Sequence, residues 1–523
     1  MENDHSAESK KTASDSVIIM VCTLISRLLG IVKARAIATV FGASGVADII
    51  NFTFNIPNNF RKLFAEGALS SAYIPVFTSQ LTEDHGDIRS TSQLFARMQG
   101  FQLLFMIPLI LFTWIWRIEI VSFLSDFSDP KQIVLSGKLL IYFMVFLGSI
   151  SFAALYGGIL QSHGSFFTAA AAPLIFSVSV ITSVYTLSDR YGPYAMVIGV
   201  VGGGFLQAFV TYLRLRSFGY RMHLSFTFSY EPFRTVMKSW APVTLTASVA
   251  IITQQVAFYF ASTLSEGTVT AFSNAIIIWQ APYGIFYSAI ATVFFPAMVT
   301  AFHKNQTGQL SKLIHRGFIY IATFLIPCAI LLTALRFETT AVLLQSGRFE
   351  LADTIRTGSI LFWFTLGMPI VAWYGFLQRV CFSTGRFTST LIVGVIVSLI
   401  DVVIMWAAIS LNFGPQSLSF ANTLSFLMGV ILLWIVAYRT GKVRVEIKIY
   451  LHSLGKLFLA NIPLIILAIG YSRFTSHSWW QSGSTLGNGL ILVGLSLIGI
   501  ITTFISYRLT KIEFLGVLMH KER

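Results

Sequence analysis

Long apolar runs broken by short polar stretches fill the chain from residue 17 to residue 508, with no segment of soluble-domain composition between them. A helix needs about 20 apolar residues to cross the hydrocarbon core of a bilayer. That ruler predicts fourteen spans, at roughly 17–41, 45–81, 94–116, 133–161, 166–188, 192–214, 237–262, 267–302, 313–335, 355–384, 387–411, 416–438, 449–472 and 486–508. The second and eighth are too long for one crossing. Each holds two prolines, Pro57 and Pro75 in one, Pro282 and Pro296 in the other, which predicts a kink or a run past the membrane surface.

Sliding the chain against itself by 219 residues exposes a repeat. Ser92, Leu94, Arg97, Phe105, Ile107, Pro108, Arg117 and Glu119 fall on Ser311, Leu313, Arg316, Phe324, Ile326, Pro327, Arg336 and Glu338. Hydrophobic bias does not produce two arginines, a glutamate and a proline in register. The pattern predicts an all-α polytopic membrane protein of about fourteen transmembrane helices: two six-helix lobes related by an internal repeat, plus two extra C-terminal helices. The divisions are a tail at 1–16, an N-lobe at 17–216, a linker at 217–236, a C-lobe at 237–440, a final helix pair at 441–509 and a tail at 510–523. Six is an even number, so the lobes are parallel, an arrangement used by transporters that bind substrate near the midplane.

Composition narrows the class further. Hydrophobic residues are 55% of the chain, charged residues 11%, and the mean hydropathy is +0.74, which excludes a soluble enzyme. The net charge of +14 sits in loops: Arg214, Arg216, Arg221, Arg234 and Lys238 after the sixth span, Lys304, Lys312 and Arg316 after the eighth, Arg379 and Arg386 after the tenth. These loops are expected in the cytoplasm, with both termini, and nucleic acid is not an expected partner. Cys22, Cys328 and Cys381 lie in apolar spans without metal-ligand or disulfide spacing and read as small core residues. The first span lacks a cleavage site and reads as an uncleaved helix.

Against this background Arg27, Lys33, Arg35, Asp48, Arg61, Lys62 and Glu66 are costly, because charge at membrane depth persists only where it meets water, a partner or a ligand. Asp48, Asn51, Asn55, Asn58 and Lys62 recur at steps of three and four and share one helical face. Arg27 and Arg35 are eight residues apart, about 12 Å of rise, and lie within about 80° of each other around the axis. Lys33 points elsewhere unless Gly30 bends the helix. The excess of cations over Asp48 and Glu66 suits an anionic ligand, and arginine binds phosphate bidentately. A blander reading has Arg35, Arg61 and Lys62 snorkelling to the interfaces while Arg27 pairs with Asp48. Asp401, alone in the eleventh span, fits a proton, a monovalent cation or a distant arginine equally. The eighth span carries no charge between Glu266 and His303.

SRLLG at 26–30, VFGAS at 40–44, the run ADxxNxxFxxPNxxRxxFAEGALSSAYIPVF from Ala47 to Phe77, GGxLQ at 203–207 and QSGRF at 345–349 resemble the MurJ (MviN) family of lipid II flippases, in the multidrug/oligosaccharidyl-lipid/polysaccharide exporter superfamily. The resemblance implies a multi-pass protein of the bacterial inner membrane that moves the undecaprenyl-pyrophosphate-linked peptidoglycan precursor to the periplasmic leaflet by alternating access. It places Arg27 and Arg61 at the family's cavity arginines, Asp48 at its second-helix acid and Glu66 at its cytoplasmic-gate acid, and implies a polyprenyl-tail groove at the last two helices; from the pattern of charged and polar residues, Lys33, Arg35 and Asn55 are expected to join them in contacting substrate. It further implies membrane lipids and peptidoglycan-synthesis proteins as partners, and no cofactor beyond coupling to the membrane potential or a monovalent ion at Asp401. Family members tend to carry an Arg-Asp pair on the first helix and charges on the eighth; here those positions are Lys33-Ala34 and Ile276, Ile277 and Gln280. The alternatives are an exporter of another polyprenyl-linked glycan or of a drug in the same fold, and a transport-inactive scaffold of envelope synthesis.

Overall fold

The computed structural model describes residues 2–64, 68–83, 88–439, 447–474, 480 and 485–512, with side chains from residue 21 onward. The chain up to the first repeat boundary forms α1 (Glu2–Phe41), α2 (Gly45–Phe64), α3 (Ala68–Glu83), α4 (Ile88–Ile115), α5 (Arg117–Leu124), α6 (Pro130–Ser162), α7 (Phe166–Tyr191) and α8 (Tyr194–Arg216). There follow α9 (Glu231–Ser262), α10 (Thr268–His303), α11 (Thr307–Ala334), α12 (Arg336–Leu344), α13 (Leu351–Ser383), α14 (Phe387–Ser410), α15 (Ser417–Tyr438), α16 (Ile447–Phe474) and α17 (Thr485–Leu509). The described residues contain no strand.

Every predicted span falls on a helix. The overlong second span is two helices, α2 and α3, whereas the eighth is one helix that runs through Pro282 and Pro296 without a break. Among the described residues twelve helices are apolar and long enough to cross a membrane; α2 is not one of them, because it carries Asp48, Arg61 and Lys62. The count of fourteen therefore rests on the sequence pattern and twelve on composition. The repeat reappears in the helix ends: α4 and α11 start at 88 and 307 and end at 115 and 334, and the short helices α5 and α12 start at 117 and 336, all at an offset of 219.

By contact the chain divides into two compact units, Met1–Thr270 with Ser346–Phe349, and Ala271–Gln345 with Glu350–Arg523. In the first unit α1 packs along α7, α2 along α6, and α8 between α6 and α7. The close fit of α8 uses Gly203 and Gly204 of the GGxLQ motif: a Cβ there would stand 2.9 Å from the Ser179 side chain and 2.5 Å from Ser149 Oγ. The segment 217–230 is fixed by Tyr220, which is wholly buried among Phe77, Phe95 and Leu160, with its hydroxyl 2.9 Å from both Thr91 Oγ1 and His163 Nε2. Burial pushes the Tyr220 phenol up to about 12 and pushes the His163 imidazole below its ordinary value.

Two motifs that are 300 residues apart in sequence meet in this unit. The QSGRF segment lies on the end of α1, where Arg348 N donates to Thr39 O at 2.9 Å and Ser346 Oγ is 2.6 Å from Thr39 Oγ1. Gly42 and Gly347 both have positive φ, +66° and +57°, and a Cβ on either would strike backbone oxygen, of Arg348 and Thr39 respectively.

In the second unit α13 packs on α11 and α15, and the C-terminal pair docks on α11. Tyr507 of α17 donates to Thr323 O at 3.0 Å and accepts from Asn461 of α16 at 3.0 Å, so three helices share one buried hydroxyl. The outward faces of α16 and α17 are apolar, with Phe458, Ile466, Leu490 and Ile500 exposed.

Candidate anion-binding site

The polar face of α2 runs the length of the helix. At its start, Asp48 is buried and accepts from Gly267 N at 2.6 Å, Thr270 N at 2.8 Å and Thr270 Oγ1 at 2.7 Å. Gly267 to Thr270 is the amide end of α10, whose first turn belongs to the first unit, so the carboxylate satisfies helix-end donors and faces the positive end of the helix dipole. The favour is returned: the Glu266 carboxylate accepts from Gly45 N, at the start of α2. Asn51 joins through Nδ2, 3.3 Å from Thr270 Oγ1. Among the described residues no arginine or lysine is a partner of Asp48, and the Arg27–Asp48 pair of the blander reading is not formed.

Further along α2 the face turns basic. Arg61 Nε donates to Asn58 Oδ1 at 3.1 Å, and Lys62 Nζ donates to Asn59 Oδ1 at 2.9 Å and to Gln254 Oε1 of α9 at 3.1 Å. Asn55 and Asn59 are buried, and the Nδ2 of each has no partner among the described residues. Among the described residues the charged groups next to them on α2, Arg61 and Lys62, are donors as well, a set that oxygen acceptors would match.

Lys33 reaches this region from α1. Its ammonium is 5.6 Å from the ring centre of Phe54 on α2 and 5.1 Å from that of Phe176 on α7, two rings that lie nearly parallel, 6.5 Å apart. Aromatic faces hold a cation without neutralising it. Arg61 is close enough for its charge to act on Lys33. Lys33, placed by helical spacing off the face of Arg27 and Arg35, is thus an α1 cation that approaches α2. Arg27 and Arg35 are half-buried on α1, Arg35 O accepting from Thr39 Oγ1 one turn on. Glu66 lies outside the described residues.

Sequence reasoning missed Phe54, Phe176, Gln254 and Glu266. Only Glu266 left a signal, because the 219 offset that places Asp48 on Gly267 sets it beside the start of the corresponding helix. In the second unit Asp401 is buried, with the Ser425 and Asn422 side chains of α15 near its carboxylate, and its Oδ1 has no partner among the described residues. No cluster of three His, Cys, Asp or Glu that could hold a metal ion occurs among those residues.

Residues 37–488 match the family described as lipid II flippase MurJ. The chain is 29% identical over 503 residues to a probable lipid II flippase MurJ of Borreliella burgdorferi, covering 96% of this chain and 97% of the relative. It is 26% identical over 533 residues to one of Vibrio cholerae, covering 97% of each. A solved structure of lipid II flippase MurJ in an inward closed conformation superposes with a TM-score of 0.77 at 23% identity, over 94% of this chain and 99% of that one. An inward-facing multidrug resistance MATE family transporter of the MOP superfamily superposes with a TM-score of 0.66 at 11% identity, over 81% and 97%. These last two are likenesses of fold.

Proposed function

The chain belongs to the MurJ family of lipid II flippases, and from that membership we infer that it carries lipid II, the undecaprenyl-pyrophosphate-linked peptidoglycan precursor, across the membrane. The direction is from the cytoplasmic to the periplasmic leaflet of the bacterial inner membrane, by alternating access, with both termini in the cytoplasm. The excess of Lys and Arg in the loops after α8 and α10 supports that orientation.

The observation that carries the mechanism is Lys33, a cation set over the rings of Phe54 and Phe176 and within electrostatic reach of Arg61. A multiply charged anion suits such a grouping. The diphosphate of the substrate is that anion: Arg61, Lys33, Arg27 and Arg35 hold its oxygens, Asn55 offers an amide donor, and Asp48 and Glu66 act where the helix ends rearrange during transport. A cationic drug would meet repulsion on this face. The exposed apolar sides of α16 and α17 support a role in holding the polyprenyl tail. Asp401, with a carboxylate oxygen left over beside a hydroxyl and an amide, has the all-oxygen donor set a proton or monovalent cation would use in coupling. Depletion of the protein in its own cell, followed by measurement of lipid II exposed on the outer leaflet, tests the function; exposure that continues undiminished would refute it.

A further inference from the structure

Two stretches that stand out in the sequence, VFGAS at 40–44 and QSGRF at 345–349, take no part in the cationic face of α1 and α2. In the structure they close on a cavity of about 600 Å³. Its polar wall is Thr39, Ser44, Tyr185, Ser188, Asp189 and Arg348, and every residue that lines it belongs to the first unit. The volume is that of a pocket for a drug-sized ligand.

One wall is fixed by backbone. Arg348 N donates to Thr39 O at 2.9 Å, and a Cβ on Gly42 or Gly347 would strike Arg348 O or Thr39 O. That lock between the end of α1 and the turn 346–349 sets where the Arg348 side chain leaves the chain. The other wall is the last turns of α7, which packs along α1. Tyr185 and Asp189 are four residues apart and share one side of that helix. Gly192, at φ +54°, ends α7 by donating to Ser188 O at 2.8 Å, and a Cβ there would meet nothing within 4 Å. The turn into α8 thus adds no bulk to the cavity.

Asp189 and Arg348 are opposite charges on one cavity, and they do not neutralise each other. Both are exposed, and among the described residues neither side chain has an ion pair or a hydrogen-bond partner. The hydroxyls of Thr39 and Ser44 already donate to Arg35 O and Phe41 O, which leaves the Ser188 hydroxyl and the Tyr185 phenol beside the two charges. The ligand that complements this set carries a cation and an anion: an ammonium for the carboxylate, and a carboxylate that the guanidinium takes bidentately. An amine and a carboxylate on one flexible chain are the chemistry of a short peptide.

We propose that this cavity is a binding site for a short peptide, with an ammonium on Asp189 and a carboxylate on Arg348. The source of the peptide rests on the flippase reading above: it is the peptide that lipid II carries. Thr39 follows Lys33 on α1 by six residues, about 9 Å of helix rise, a separation that an extended peptide of about three residues spans.

Binding to the purified full-length protein in nanodiscs of phosphatidylglycerol, a lipid without an ammonium group, tests it with three probes: lipid II, undecaprenyl pyrophosphate and the soluble peptide of lipid II. Asp189→Asn and Arg348→Gln, both exposed changes that leave folding intact, are each expected to weaken lipid II binding about 5-fold or more and undecaprenyl pyrophosphate binding less than about 2-fold. Arg190→Gln, an exposed neighbour outside the cavity wall, is expected to change neither by about 2-fold. Unchanged affinity of both cavity variants for lipid II and for the soluble peptide overturns the proposal. So does an equal loss toward undecaprenyl pyrophosphate, which has no peptide, or an effect that appears only once phosphatidylethanolamine is added, which would make the ligand a phospholipid headgroup. Soluble peptide that binds the wild type and neither variant, with lipid II unaffected, sustains the site and overturns its assignment to the carried lipid. If the wild type does not bind lipid II, the flippase reading falls and the soluble peptide decides alone: binding lost in both variants sustains the site, and no binding, or binding that both variants keep, overturns it.

Discussion

Asp48 on α2 and Thr270 on α10 are joined twice, carboxylate to backbone amide at 2.8 Å and carboxylate to hydroxyl at 2.7 Å, across 222 residues of sequence. An acid that sequence spacing assigns to a binding face thus also terminates another helix. Removing it leaves the Gly267 and Thr270 donors unsatisfied in a buried place. Asp48→Ala is expected to cost about 1–2 kcal/mol, the usual value of a lost cap, and Asp48→Asn less, since one acceptor oxygen remains. Thermal unfolding in detergent checks the order; an unshifted melting temperature for Asp48→Ala would show that the cap does not matter.

Lys33 makes the opposite prediction. Lys33 is half-buried against two aromatic rings, which an unbranched apolar chain also fits, so Lys33→Met should leave the melting temperature unchanged or raise it, while lowering lipid II transport by an order of magnitude or more. Lys33→Arg, which keeps the charge and stacks on Phe54 and Phe176, should retain most transport. Parallel measurements of stability and transport separate the two roles, and a variant that loses both would contradict this division.

Gly347→Ala and Gly42→Ala are each expected to destabilise the protein by about 2 kcal/mol or more, because left-handed backbone and a clash with backbone oxygen act together. Gly385, also at positive φ but with open space around it, should cost only about 1 kcal/mol on the same change. Melting temperatures of the three variants give the comparison.

The His163–Tyr220 contact predicts a pH response. Burial lowers the His163 pKa from 6.5, so below about pH 6.5 the unfolded chain binds a proton that the folded chain resists, and stability falls as pH falls. Above that range the ring is neutral in both states and contributes no slope. The protection factors of residues 217–230 in hydrogen exchange, with the intrinsic pH dependence of amide exchange divided out, should therefore fall between pH 7.5 and pH 5.5, and His163→Gln should flatten the change.

Much of the fold was legible because membrane helices declare themselves by length and apolarity, and the 219 offset recurs in helix ends. The short helices α5 and α12 were not, since eight or nine residues are too few to establish a period. On α2 the steps of three and four revealed the polar face. They could not reveal that Phe54 and Phe176 hold Lys33 or that Glu266 meets Gly45. Each of those contacts joins different helices through packing, and packing leaves no periodic trace in either partner.

The central claim is that the cations of α1 and α2 bind the diphosphate of lipid II. Its most direct test is complementation of a flippase-depleted bacterium by Arg27→Ala and by Arg61→Ala, with protein level followed in the membrane. The account predicts that neither variant restores growth although both accumulate like wild type; full growth with both variants would contradict it.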